Sequence, residues 1–293
     1  MPSGNLIDLR RRVRSVKNIQ QITRAMKFVS ASRLRRAQER ILAARPYANR
    51  MLAVLNSLAT RVDPESHPLL EEREARKVML IVITSDKGLC GAYNANVIKS
   101  AVRFIEKESV NTSLSLALVG KKGMDWFRGR PWEVKHEYLN IMSQVSYEYA
   151  AELAAAVIDY FTKSELDSVH IVYNEFKSVL SQRIVIEPLL PIRRLEGVDQ
   201  AGQLDYLYEQ PAREIFDRLL PKHVETQVFR AMLESEASEQ GARMTAMDAA
   251  TRNANEMIES LTLKINRLRQ ASITTEIIEI VSGANALQEA RSK

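Results

Sequence analysis

Apolar positions recur along this chain with two different periods, and the change of period divides it into three parts. Ala37, Ile41, Ala44, Ala48, Met51, Leu55, Leu58 and Val62 are spaced 4-3-4-3-4-3-4, an unbroken heptad stripe. Upstream, Leu6, Leu9, Val13, Val16, Ile19, Ile22, Met26 and Val29 extend a stripe that needs one slip of phase between Val16 and Ile22. Ser3 offers an N-cap. Pro46 lies inside the pattern, where it removes one backbone hydrogen bond and bends a helix. At the other end Ile258, Leu261, Ile265 and Leu268 are spaced 3-4-3, and Ile277, Ile280, Ala284 and Leu287 repeat that spacing. Between these two sets, in Arg269-Gln270-Ala271-Ser272-Ile273-Thr274, polar residues gather and the phase shifts. Many inward candidates are small, among them Ala237, Ala242, Ala246, Ala249, Ala250 and Ala254, which allow helices to approach closely.

Glycine and proline mark the same division. No glycine falls between Gly4 and Gly88, and no proline occurs in the 72 residues after Pro221. Helices of such length extend for roughly 90–110 Å at about 1.5 Å per residue, far beyond the usual globular helix. Neither can bury its stripe alone, so each is expected to cover the other. If the middle of the chain returns it to its starting point, the two run antiparallel. The heptad period then predicts a left-handed supercoil.

The middle alternates between strand and helix patterns. Val78–Thr84 is a continuous apolar run, as in a strand buried on both faces. Helical stretches are predicted at 94–107, 122–128 and 147–163, and further strands at 114–119, 132–138, 169–176 and 183–191. This order predicts a small α/β sheet with parallel pairing. The expected fold class is therefore α/β plus long helices: an antiparallel two-stranded coiled coil of N- and C-terminal helices with a central Rossmann-like α/β domain. The boundaries expected are 1–63, 75–210 and 212–290.

Composition narrows the function. No apolar run approaches the roughly 18 residues of a membrane span. The start, MPSGNLIDLRRRVR, has charges but no apolar segment of the secretory kind and continues the helical pattern, so it is read as mature protein. The single cysteine, Cys90, cannot form an internal disulfide and reads as a small buried hydrophobe. Net charge is +6, but residues 1–50 hold 13 Lys and Arg against only Asp8 and Glu39, a local surplus that leaves the remainder of the chain net acidic. A basic N-terminal segment predicts an acidic partner: nucleic acid, anionic lipid or an acidic protein surface.

Catalytic motifs are missing. Gly120-Lys121-Lys122-Gly123 lacks the spacing of a P-loop, and no G-x-G-x-x-G occurs. Ser85-Asp86-Lys87-Gly88-Leu89-Cys90-Gly91 follows the first strand, where a phosphate loop would sit, and reads as a tight turn. Of the four histidines only His136 stands in an E-x-x-H, with Glu133, and in a strand that odd spacing turns the two side chains to opposite faces. The acidic pairs Glu234/Glu236 and Glu276/Glu279 fall in helical patterns and read as solvated faces or partner contacts.

Several segments resemble the gamma subunits of F-type ATP synthases. They are Ile22-Thr-Arg-Ala-Met26 with Val29-Ser-Ala-Ser32, Arg45-Pro-Tyr-Ala48, Ser85–Gly91 and Asp205-Tyr-Leu-Tyr-Glu209. Near the C-terminus are Glu239-Gln-Gly-Ala-Arg-Met-Thr-Ala-Met247, Arg269-Gln-Ala-Ser-Ile-Thr-Thr-Glu-Ile277 and Glu279-Ile-Val-Ser-Gly-Ala284. The resemblance spans the chain in family order. It implies a non-catalytic rotor of a proton-translocating synthase, with its coiled coil inside a ring of alpha and beta subunits and its α/β domain against epsilon and the c-subunit ring. It implies beta contacts at Met26, Lys27, Arg243, Arg269, Gln270, Thr274 and Glu276, with Tyr206, Tyr208 and Glu209 facing the c ring and epsilon. No cofactor, metal or nucleic acid is implied. The expected location is peripheral, at the cytoplasmic face of a bacterial plasma membrane, through the partners alone. The paired regulatory cysteines of chloroplast relatives are absent, as is a mitochondrial presequence, which favours a bacterial source. Two other readings compete: a nucleic-acid-binding coiled coil using the basic N-terminal helix, and a nucleotide-dependent enzyme built on the middle domain.

Overall fold

The computed structural model describes residues 3–59, 67–108, 112–179, 181–192 and 211–291. Helix α1 spans Ser3–Ala59, with Pro46 inside it. Between the two terminal helices come β1 (Lys77–Ile83), α2 (Tyr93–Glu108), β2 (Ser113–Val119), α3 (Lys121–Phe127), β3 (Glu133–Tyr138), α4 (Tyr147–Thr162), β4 (Ser168–Phe176) and β5 (Gln182–Leu190). Helix α5 spans Ala212–Arg291, with Pro221 inside it. Each predicted element of the middle region is present within about two residues, as period and turn residues dictate.

The chain forms two compact units, one within Ser30–Thr245 and one within Met1–Val29 and Ala246–Lys293, so α1 and α5 contribute to both. The first unit holds a five-stranded sheet of order β3-β2-β1-β4-β5. Pairing is parallel from β3 through β4. The expectation of parallel pairing fails at β5, which lies antiparallel to β4. A parallel return needs a crossover of a dozen or more residues, and too few separate Phe176 from Gln182.

Both faces of the sheet are covered. Met79, Ile81 and Ile83 of β1 pack with Leu153 and Val157 of α4, Leu55 and Leu58 of α1, and Val224 and Val228 of α5. Leu80 and Val82 point the other way, onto Val97, Ala101 and Ile105 of α2 and Met124 and Phe127 of α3. This double burial is why β1 reads as an uninterrupted apolar run. Each such aliphatic side chain contributes about 1.5–3 kcal/mol on burial.

In the second unit, α1 and α5 pair side by side. Gln20 Nε2 donates to Asn255 Oδ1. The hydroxyls of Thr23 and Thr251 are 2.8 Å apart, and Lys27 Nζ is 2.5 Å from Asp248 Oδ1. Positions rise on one helix as they fall on the other, so the pairing is antiparallel, as expected.

Two expectations about this seam are corrected. The first is the slip of phase, which does not occur. Ile19, Ile22 and Val29 are 53%, 59% and 53% exposed. The inward positions of α1 instead run Leu6, Leu9, Val13, Val16, Gln20, Thr23, Lys27 and Ser30, a 3-4-3-4-3-4-3 series that continues in phase into Leu34, Ala37 and Ile41. The phase of the flanking apolar positions carries through four polar ones, and three of these find hydrogen-bonding partners on α5. The second correction concerns the end of α5. Ile258, Leu261, Ile265 and Leu268 are half-buried as predicted, but Ile277, Ile280 and Ala284 are exposed. The observed register carries Ser3, the first described residue of α1, to the level of Ser272, and among the described residues none of α1 stands opposite Ile277, Ile280 or Ala284. The side chains of Ser3 and Leu287, and all of Val62, lie outside the described residues.

Candidate functional site

Strand order reverses between β1 and β4, and in open α/β sheets ligands bind in the crevice beyond the strand ends at that point. Here the chain's own α5 occupies the place. Tyr93 Oη donates to Ser235 O at 3.2 Å, and Ser238 Oγ donates to Asn174 O at 3.1 Å. Arg243 Nη2 donates to Lys87 O and Gly88 O, each at 3.2 Å, and forms a 2.6 Å ion pair with Glu239. Both side chains of that pair are at least nine-tenths buried. Burial raises the Glu239 carboxyl above its usual range, while Arg243 opposes the rise.

The turn after β1 is equally committed to its own chain. Amides at a helix N-terminus are natural phosphate donors. At the start of α3 they are all used internally: Lys121 N to Asp86 Oδ1 at 3.0 Å, Lys122 N to Ser85 O at 2.9 Å, and Gly123 N to Thr84 Oγ1 at 2.8 Å. Asp86 also accepts from Asn140 N and Met142 N, both at 2.9 Å. One carboxylate thus ties together three loops at this edge of the sheet. A phosphate here would have to displace a carboxylate, so the Ser85–Gly91 segment is a braced turn. Gly120 closes it at φ 92, with Thr84 O only 2.2 Å from where a Cβ would stand. Cys90 is buried, burial raises its thiol pKa, and Asn94 Nδ2 lies 3.2 Å from its sulfur. It is the small buried residue the sequence implies.

Among the described residues no three His, Cys, Asp or Glu side chains gather as a metal-binding group. His136 instead packs edge-on against Tyr160, with ring centroids 5.6 Å apart. The register shift of β3 against β2 falls between Val134 and His136, so simple alternation does not govern the Glu133–His136 pair.

Glu236, on the α1-facing side of α5, pairs with Arg40 Nη1 at 3.1 Å, and Arg40 also donates to Val145 O. Burial pushes the Glu236 carboxyl up to about 7 despite Arg40. The sequence reading of Glu236 as a solvated face or partner contact is thus corrected to a largely buried internal pair, and the sequence does not single out the Asp86 clamp. The only local signal for the clamp is an acid directly after a buried strand.

The residues expected at subunit contacts do not form one cluster. Met26 and Lys27 are half-buried, and Lys27 is paired with Asp248. Arg243 is turned into its own unit. Arg269, Gln270, Thr274 and Glu276 are exposed, beginning some 20 residues or about 30 Å along α5 from Asp248. Thr274 Oγ1 donates to Gln270 O at 2.9 Å. Beside them stand exposed Ile273, Ile277, Ile278, Ile280 and Val281. An apolar stretch of that extent marks a contact surface. Tyr206, Tyr208 and Glu209 lie outside the described residues. Among the described residues no helix is long and apolar enough to cross a membrane.

Solved structures of ATP synthase assemblies contain chains with this fold. A chain of the Tetrahymena thermophila mitochondrial ATP synthase central stalk and c-ring is 27% identical, with a TM-score of 0.59, covering 78% of this chain and 99% of that one. A chain of the Euglena gracilis mitochondrial ATP synthase shares the fold at TM-score 0.67 and 21% identity, covering 99% and 97%. The class is thus a subunit of an ATP synthase central stalk. A family model described as ATP synthase matches residues 5–287. The chain is 52% identical over 292 residues to the ATP synthase gamma chain of Solibacter usitatus, covering 98% of this chain and 100% of the relative. It is 49% identical over 286 residues to that of Geobacter metallireducens, covering 97% and 99%. The chain belongs to the ATP synthase gamma-chain family. These matches give no support to the nucleic-acid-binding alternative.

Proposed function

We propose that this chain is the rotor of a proton-translocating synthase, coupling rotation of a c-subunit ring to conformational cycling of catalytic beta subunits, and that it carries out no catalysis itself. One observation carries the reading beyond family membership. Helix α5 continues past the level of Ser3, where the described part of α1 starts, with exposed isoleucines around it and Arg269 and Gln270 where the seam ends. Such a helix is unfavourable in water and suits the bore of a surrounding ring. In this reading residues 1–63 and 212–290 transmit torque, and residues 75–210 anchor the rotor below the ring.

Arg269, Gln270, Thr274 and Glu276 meet the beta loops around the tip, and Met26 and Lys27 meet beta at a second level of the same helix pair. Arg243 acts there through the turn it braces. Tyr206, Tyr208 and Glu209 face epsilon and the c ring. The assembly would sit at the cytoplasmic face of a bacterial plasma membrane, held there by partners.

Reconstitution tests the proposal. Alpha and beta subunits mixed with this chain should hydrolyse ATP far faster than alpha and beta alone, and the chain alone should not turn ATP over. Appreciable turnover by the isolated chain, or no gain on mixing, overturns it.

A further inference from the structure

Within residues 16–30, α1 carries two candidate seams one residue apart. The polar one, Gln20, Thr23 and Lys27, faces α5, while the apolar one, Ile19, Ile22 and Val29, faces outward. Successive helical residues differ by about 100° around the axis, so the two faces adjoin. Met26 and Lys27 are both half-buried, and the boundary between the faces runs between them. Thr23 is 8% exposed and Ile22 is 59% exposed, so the polar face is the one in use.

We propose that this stretch of α1 is a two-faced conformational element, held on its polar face by Gln20–Asn255, Thr23–Thr251 and Lys27–Asp248, and able to turn locally onto Ile19, Ile22 and Val29. Burial of aliphatic side chains favours the alternative face, whereas hydrogen bonds between exchanged partners contribute little net. The polar face persists because each of its polar groups has a partner, and stranding one is costly even though the bond itself is worth little net, and because the inward residues on either side, Val13 and Val16 before and Leu34 and Ala37 after, favour its phase. Turning requires a step of three where the seam now has four, at Val16–Ile19, and a step of five at Val29–Leu34. That is the local overwinding and unwinding by which coiled coils absorb irregular spacing. The apolar series singled out by hydropathy alone, with its slip of phase, is this second state. Its use as a place where twist is taken up rests on the rotor reading, but its existence does not.

Cysteine labelling of the full chain tests it without any ATPase assay. Ile22→Cys should react with a maleimide at least about tenfold faster than Thr23→Cys, given their exposures. Cys90, the single native thiol, is buried and supplies a slow background. Removing the partners on α5 with Thr251→Val and Asn255→Leu should bring the two rates together or invert them, at unchanged helix content. Adding Ile19→Gln, which weakens the competing face, should restore the original order. Rates that keep their order after the α5 substitutions overturn the proposal, as does a collapse of the difference that Ile19→Gln leaves uncorrected. If the double variant loses helix content, Thr251→Val alone is read by the same two criteria.

Discussion

Arg243→Ala should be among the most damaging single substitutions in this chain, and its cost should depend on pH. The Arg243–Glu239 pair has a 2.6 Å contact with both side chains at most 8% exposed. Two charges about 4 Å apart interact by about 4 kcal/mol at an effective dielectric of 20. Removing one member strands the other, which typically costs about 3–5 kcal/mol. The carbonyls of Lys87 and Gly88 lose a donor too, but those residues are at least partly exposed and water can replace it. The net expectation is a loss of about 3–5 kcal/mol at pH 8. Burial already raises the Glu239 pKa, and losing Arg243 raises it further. A carboxyl whose folded pKa lies above its unfolded value stabilises the fold fully below the unfolded value and loses that contribution as pH rises through the folded one. The deficit of Arg243→Ala should therefore shrink as pH falls from 8 towards 5. Arg243→Met with Glu239→Leu, which removes both charges and keeps volume, should recover most of the loss. Urea denaturation at both pH values measures all of this. A deficit below about 1 kcal/mol, or one that does not change with pH, refutes the assignment of the pair as a buried brace.

Asp86→Ala removes the acceptor of three backbone amides; Met142 lies in a buried residue while Lys121 and Asn140 are exposed, so the loss should be about 2–4 kcal/mol. A melting temperature lower by roughly 3–9 °C, with faster hydrogen exchange at Met142, checks it. Glu236, with its pKa raised to about 7, stabilises the fold most below pH ~4.5 and progressively less as pH rises through 7. Glu236→Gln should flatten that part of the pH–stability curve, worth up to about 3 kcal/mol. Gly120→Ala places a Cβ 2.2 Å from Thr84 O at φ 92 and should cost more than about 3 kcal/mol, whereas Gly129→Ala, at φ 75 with open space, should cost only about 1–2. Arg269→Ala with Gln270→Ala should leave stability within about 0.5 kcal/mol, since both are exposed, yet impair ATP synthesis by the assembled complex; unchanged synthesis removes them from the beta contact.

The sheet order and the turn after β1 outline a ligand crevice that the chain closes on itself. A phosphate loop keeps amides free at a helix N-terminus, whereas here Thr84, Ser85 and Asp86 take them in turn. The same turn receives Arg243 from α5. A scaffold that elsewhere holds a nucleotide thus uses its binding edge to grip a helix. This fits a domain that holds α5 firmly more than one that must exchange a ligand.

How far the sequence shows all this depends on what kind of information each feature needs. Element positions follow from local periodicity, so β1 and α4 were readable to within a residue or so. The antiparallel β5 needed only the length of the connection from Phe176. The α1 seam was misplaced because hydropathy weighs Ile19 and Ile22 above Gln20 and Thr23, while phase is set by residues one or two turns away on either side. Counting by strict heptads from Val16 reaches Gln20, Thr23, Lys27, Ser30 and Leu34 with no slip at all. That count is decisive only once Asn255, Thr251 and Asp248 are known to stand opposite, because a polar seam position is tolerable when it has a partner and costly when it does not. The partners lie more than 200 residues away in sequence, and their alignment depends on where the sheet returns the chain. The same dependence explains the tip of α5. Ile277 and Ile280 carry the spacing of a seam, but whether they are covered is decided by what stands opposite them, and among the described residues α1 has none at their level.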